Sequence, residues 1–178
     1  QLGPQYRLDD FGILQDGSVQ TVQIQAVIDR AAALGGGVIV VPAGLYLSGA
    51  LYFRQGTHLH IEHGGVLMGS DRLADYPVCM TRIEGQNGLY FPALINVDHV
   101  NGFTITGEGI IDGNGMRFWE DFLLRRQWNP ACTNKDSQRP RLVYFSHCSN
   151  VLVSGLTLQN SALWTNHLYK CDHVRYLR

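Results

Sequence analysis

The apolar residues of this chain fall into short β-branched runs, each stopped by Gly, Pro, Asn or Asp, and the runs repeat in register. Leu94 to Gly107 reads LINVDHVNGFTITG, and Leu142 to Gly155 reads LVYFSHCSNVLVSG. A third, partial copy from His167 to Tyr176 reads HLYKCDHVRY, which sets Cys171 beyond Cys148 by an offset of 171 − 148 = 23. Strands recurring at a period of about 20–50 residues mark a solenoid. Because the unit holds strands only, each repeat predicts one coil of a right-handed parallel β-helix, an all-β fold.

Ahead of the repeats, the same kind of run recurs at 38–41, 45–47, 50–53, 58–61 and 66–69, and later at 103–106 and 109–112. Phe11-Gly12-Ile13-Leu14 reads as a leading strand, followed by a turn at Asp16-Gly17-Ser18. One stretch breaks the pattern. Ile24, Val27, Ile28 and Ala31 fall at i, i+3, i+4, i+7, which is a helical stripe. Thr21 is placed to N-cap it, and Gly35-Gly36-Gly37 ends it, so a helix is expected over about 22–34. Such a helix covers the open end of the first coil, which would otherwise expose core and unpaired strand edge.

The copies at 94 and 142 are offset by 142 − 94 = 48, so roughly one extra coil's length is an insertion, placed at 116–141. It carries Phe118, Trp119, Trp128, Arg125, Arg126, Lys135, Arg139 and Arg141. Insertions in solenoids emerge on one face, often the binding face. Segment 71–92, with Tyr76-Pro77 and Phe91-Pro92, reads as irregular.

Composition narrows the classes. The 178 residues suffice for one domain (1–178) with a sizeable core, and 45% apolar with 16% charged residues describes a folded rather than a disordered chain. A formal net charge of −1 gives no case for nucleic acid or an anionic membrane surface. No apolar run of about 18 residues is present to span a bilayer. The four cysteines show no C-x-x-C spacing. Cys148 and Cys171 should stack about 4.8 Å apart in strand spacing, either as two buried thiols or as a disulfide. His58, His60, His63, His99, His147 and His173 are scattered, no pair having the spacing of a ligand set, so no metal and no cofactor is expected.

Phe11-Gly12, Asp16-Gly17, Thr21, Ile24 to Ile28, Gly35 to Val38, Val41-Pro42-Ala43-Gly44, Tyr46 and Ser48-Gly49 together resemble the opening of polygalacturonase-type enzymes, family 28 of the glycoside hydrolases. Leu59 to Ser70, Tyr76-Pro77, Gly107 to Gly115 and Asn160-Ser161-Ala162-Leu163-Trp164-Thr165-Asn166-His167 continue the resemblance, the last with Ala162 where the family's N-S-P-x-W-x-x-H has Pro. The resemblance implies hydrolysis of pectic α-glycosidic bonds with inversion by a secreted or periplasmic enzyme, although no leader is visible ahead of Gln1. Inversion needs a carboxylic acid and a carboxylate about 6.5–9.5 Å apart. In the family these belong to N-T-D-G-x-D and D-D motifs, followed by G-H-G and R-I-K, and none of the four is present. Asp9-Asp10 precedes the helix, and Gly107-Glu108-Gly109 lacks the His. No catalytic residue is therefore assigned here. The aspartates are expected about one coil beyond Arg178, and the chain by itself is expected to be inactive. A continuation or complementary fragment should complete the β-helix.

The same resemblance places the family's first aspartate about seven residues before the next C-x-N-V. The residue seven before Cys171 is Trp164, which would then line the cleft one coil below. Trp164 is a candidate for stacking on a sugar or, alternatively, a packing residue. Asn166 and His167 lie beside it, His167 equally readable as structural. Arg125, Arg126 and Arg139 could hold galacturonate carboxylates through bidentate hydrogen bonds, or be solvated loop charge. Asp112-Gly113-Asn114-Gly115 reads as turn chemistry. The expected partner is pectic polysaccharide or an oligogalacturonide. Two alternatives stand beside it: a non-catalytic β-helical carbohydrate-binding or adhesin module, and a Ca²⁺-dependent lyase, which would need a carboxylate cluster that the sequence lacks.

Overall fold

The computed structural model describes residues 2–178, and the chain winds through them as stacked three-strand coils. Strand β1 (Gln5–Arg7) leads into helix α1 (Thr21–Ala33). The first full coil is β2 (Gly37–Val41), β3 (Gly44–Ser48) and β4 (Leu51–Phe53). The second is β5 (Thr57–Ile61) and β6 (Gly65–Gly69), then a hairpin of β7 (Cys79–Ile83) and β8 (Gln86–Tyr90), then β9 (Ile95–Asp98). The third is β10 (Thr104–Gly107), β11 (Ile110–Asp112), helix α2 (Met116–Trp128) and β12 (Val143–Ser146). The fourth is β13 (Ser149–Ser154), β14 (Thr157–Gln159) and β15 (Asn166–Tyr169), and β16 (Asp172–Leu177) opens a fifth.

Every coil-to-coil pairing is parallel. One sheet runs β1-β2-β5-β10-β13-β16, a second β3-β6-β11-β14 and a third β4-β9-β12-β15. This is a right-handed parallel β-helix, the hand that parallel crossovers take almost without exception. The coil length shows in the registers: Val143 pairs with Asn166 and Val151 with Val174, a common offset (166 − 143 = 174 − 151 = 23). Ile95 pairs with Val143 at the longer offset 143 − 95 = 48, and the insertion that carries α2 makes the difference.

Alternation along each strand fills the interior with columns. Phe53, Val97 and Phe145 stack in register in the third sheet, and all three are buried. Phe103 is wholly buried and contacts both aromatic members, with ring centroids 5.2 Å from Phe53 and 6.0 Å from Phe145. Burying each such side chain stabilises the coil by about 1.5–3 kcal/mol relative to leaving it in water. The helical stripe behaves as its spacing predicts: Ile24, Val27, Ile28 and Ala31 are buried and join the core, closing the first coil.

Several expectations are corrected. Thr21 is the first helical residue rather than the cap, and its hydroxyl accepts the Gly49 N–H at 2.7 Å. The leading strand is Gln5–Arg7, whereas Leu8–Phe11 forms a 3₁₀ turn. Segment 71–92 is not irregular throughout. Cys79–Ile83 and Gln86–Tyr90 pair antiparallel around Glu84-Gly85, both at positive φ (+49° and +77°), the backbone that a two-residue hairpin turn requires. For Cys148 and Cys171 the thiol reading, not the disulfide, holds: both are free, each donating to backbone carbonyls, Cys148 to Val97 and Cys171 to Phe145. Asp112 does serve the turn: it accepts the Asn114 N–H at 2.8 Å, and it also ties in Gln159 and Asn160 from the next coil.

Candidate functional site

The outward residues of the third sheet form two ladders. Tyr52, Asn96, Tyr144 and His167 share one, and Asp98, Ser146 and Tyr169 share the next. The β7–β8 hairpin and the α2 insertion both leave the solenoid at the corner between the second and third sheets, and there they pack together. Tyr90 Oη donates to the Arg139 carbonyl at 3.0 Å, and Asn134 Nδ2 donates to Glu84 at 3.2 Å. They form a wall beside the third sheet. Between wall and ladders lies a groove of roughly 740 Å³, lined by Tyr52, Arg54, Arg82, Asp98, Tyr169 and Lys170 among others. Arg82 lies over the Tyr169 ring at 4.4 Å, with Lys170 5.6 Å from the same ring.

Arg141, two residues before β12, fastens that wall to the sheet. Its side chain is only 1% exposed. One terminal nitrogen donates to the Arg82 carbonyl and to His167 Nδ1, both at 2.8 Å. The other donates to Thr81 Oγ1 at 3.0 Å and the Phe91 carbonyl at 3.2 Å, and the group lies 4.3 Å from the Tyr144 ring centre. Its Nε is the buried side-chain polar atom left without a partner among the described residues. An arginine cannot accept, so His167 Nδ1 must, which makes this imidazole the Nε2–H tautomer. Burial first, then the charges of Arg141 and Arg82, push the His167 pKa down to about 4. Burial likewise depresses the Arg141 pKa, but an arginine stays protonated at working pH.

The six sequence candidates separate into three places. Trp164 is half-buried and meets the His167 ring edge-on at 4.8 Å, so the two share the outward face at the upper edge of the third sheet. Asn166 does not join them. It stands in register with the core column of Ile95 and Val143 and accepts the Tyr176 hydroxyl at 2.9 Å. The three arginines gather at α2, outside the groove. Arg125 donates to the Asp136 carbonyl and to Gln138, both at 3.1 Å, and Arg126 lies 5.6 Å from the Phe122 ring centre. Arg139, 1% exposed, is packed against Phe122 and Trp119 at 4.0 and 4.3 Å and donates to Ser137, Ala162 and Asn134. Each of its three nitrogens is engaged within the fold, so the geometry makes it an anchor of the insertion.

The groove residues Arg82, Tyr169 and Lys170 escaped sequence reasoning, since Arg82 lay in the segment read as irregular. Outward alternation in the repeats could have pointed to Tyr169. The aligned repeats set His99 and His147 at equivalent places in successive coils, and the coil stack brings their rings face to face with centroids 4.4 Å apart. Together with Asp98 they bring three potential ligand atoms within 4.8 Å of one another.

Comparison with known proteins agrees with this architecture. The family model described as glycosyl hydrolases family 28 matches residues 39–177. A protein of Aspergillus fumigatus named probable endo-xylogalacturonan hydrolase A is 32% identical over 150 residues, covering 81% of this chain and 32% of that protein. A probable polygalacturonase of Vitis vinifera is 28% identical over 172 residues, covering 90% of this chain and 33% of its own. The chain thus spans about a third of the curated relatives it matches. Among solved structures, a hyperthermoactive exopolygalacturonase of Thermotoga maritima superposes with a TM-score of 0.79 at 25% identity, over 97% of this chain and 45% of that one. With the family model matching more than three quarters of its length, the chain belongs to family 28 of the glycosyl hydrolases.

Proposed function

We propose that this chain forms the substrate-holding part of a polygalacturonase-like hydrolase that cleaves α-glycosidic bonds of pectic polysaccharide with inversion. The observation that carries the reading is the charge of the groove. Arg54, Arg82 and Lys170 line it against the single carboxylate of Asp98 among the described residues. A polymer of uronic acids presents one carboxylate per sugar, and guanidinium forks bind carboxylates in two parallel hydrogen bonds. Tyr52 and Tyr169 offer rings on which sugar faces can lie.

One carboxylate does not make the acid–base pair that inversion requires, so the pair would come from a coil stacked on β15. There Trp164 and His167 would flank it from below, Trp164 as a stacking surface and His167 as an Nε2–H donor. A polysaccharide substrate is too large to cross a membrane, so the enzyme would work secreted or in the periplasm.

Calorimetry with trigalacturonate tests the groove directly. Saturable binding is expected, weakened about tenfold or more in Arg82→Ala, the loss of roughly one charge-assisted hydrogen bond. Equal binding of a neutral galacto-oligosaccharide, or unchanged affinity in Arg82→Ala, would refute the reading.

A further inference from the structure

The corners that follow the strands of the third sheet carry their own ladder. His99, His147 and Lys170 each take a left-handed backbone, with φ of +52°, +52° and +50°. They recur at the coil offsets 147 − 99 = 48 and 170 − 147 = 23. Stacking of the coils lays the two imidazoles face to face, 4.4 Å apart and 9° from parallel. Asp98, the last residue of β9, puts Oδ1 2.9 Å from His99 Nδ1 and 3.9 Å from His147 Nδ1. Lys170 ends the ladder with a cation, so it offers two imidazoles and no third.

Two imidazole nitrogens and one carboxylate oxygen are a donor set of the kind that holds zinc, with water in the fourth position. Tetrahedral bonds of about 2.0–2.2 Å put neighbouring ligand atoms about 3.3–3.5 Å apart, and the 2.9 and 3.9 Å separations bracket that value. The stacked rings aim their in-plane lone pairs parallel to each other, so both must rotate out of the stack to converge on one ion. The side chains are open to solvent, 68%, 69% and 36% exposed for Asp98, His99 and His147, which leaves them room to turn and an ion room to enter. Two existing contacts must yield, the 2.9 Å hydrogen bond between Ser146 Oγ and His147 Nδ1 and the 2.9 Å approach of Asp98 Oδ1 to His99 Nδ1.

We propose that Asp98, His99 and His147 form a binding site for one divalent transition-metal ion of the zinc class at the edge of the groove. Nitrogen donors with a single carboxylate suit Zn²⁺ or Co²⁺ and suit Mg²⁺ and Ca²⁺ poorly. The site depends on the coil register and not on any saccharide, so it stands or falls separately from the proposed hydrolase.

The test titrates the full chain with Zn²⁺ by calorimetry and with Co²⁺ by visible absorption, in a non-chelating buffer near neutral pH. Binding of one equivalent is expected, with a Co²⁺ spectrum of low coordination number. His99→Asn and His147→Asn should each weaken affinity about ten- to hundred-fold. Asn tolerates the left-handed corner, so these variants keep the backbone that Ala would strain. His63→Asn, an exposed histidine beside Glu108, should bind as the parent does. Should either variant misfold, Zn²⁺-induced shifts of the His99 and His147 imidazole resonances in the unmodified chain decide the matter. Absence of stoichiometric binding, shifts confined to other histidines, or affinity unchanged in both His variants would overturn the site.

Discussion

Replacing Arg141 by Met should make His167 easier to protonate while burial still holds its pKa below that of an ordinary histidine. In the native fold Arg141 donates to His167 Nδ1 at 2.8 Å, so protonating that nitrogen would set two N–H groups against each other beside a fixed positive charge. Burial is the larger cause of the low pKa of about 4, Arg141 the next and Arg82 the third. Unfolded histidine titrates near 6.5, so between about pH 6.5 and 4 the unfolded chain binds a proton that the native chain refuses. Stability contributed by the neutral ring is therefore complete above about pH 6.5, falls as the pH drops, and is gone below about 4. The difference of about 2.5 units corresponds to roughly 3 kcal/mol, and screening at a half-buried ring reduces it to about 2 kcal/mol. Met removes the charge and leaves the burial, so the pKa should rise from about 4 but stay below the ordinary value. Lys at the same position keeps the charge without the fork and should keep the pKa low. Imidazole nitrogen NMR against pH reads both the titration and the tautomer. A native His167 that titrates as a free histidine, carries its proton on Nδ1, or does not respond to Arg141→Met would refute this coupling.

Two further outcomes follow from the packing. Arg139→Met should lower stability by about 2–4 kcal/mol in denaturant unfolding, from lost buried hydrogen bonds and ring contacts, while affinity for trigalacturonate stays unchanged; reduced affinity at native stability would instead place Arg139 on the ligand. Gly107→Ala should cost about 2–3 kcal/mol or more in thermal unfolding, because φ is +115° and a Cβ would fall 2.0 Å from the Ile61 carbonyl oxygen of the coil below; a neutral substitution would mean that this corner is not tightly stacked.

The solenoid is written in the chain's own periodicity. Period-two alternation and Gly-stopped runs are local, and the offset between Cys148 and Cys171 already contains the coil length that Val143 and Asn166 show in their pairing. The stripe of Ile24, Val27, Ile28 and Ala31 likewise specified the end cap, because a helix's buried face depends on its own spacing. The inversion chemistry came with the family resemblance, not from residues present in the groove. Beyond the aligned repeats, which side chains meet emerges only in three dimensions. Arg141 reaches the hairpin at Thr81 and Arg82, 59 or 60 residues away, and thereby sets the tautomer of His167. Arg139 and Arg125 carry the same charge in the same insertion as Arg141, yet one is sealed against Phe122 and the other turned to Asp136. Charge and proximity in the chain do not distinguish such residues; burial and available partners do. His99 and His147 are the opposite case: the repeats already align them, but whether they touch depends on the stacking of coils, because in a solenoid the nearest residue in space is one coil away and a coil's length depends on whatever insertion it carries.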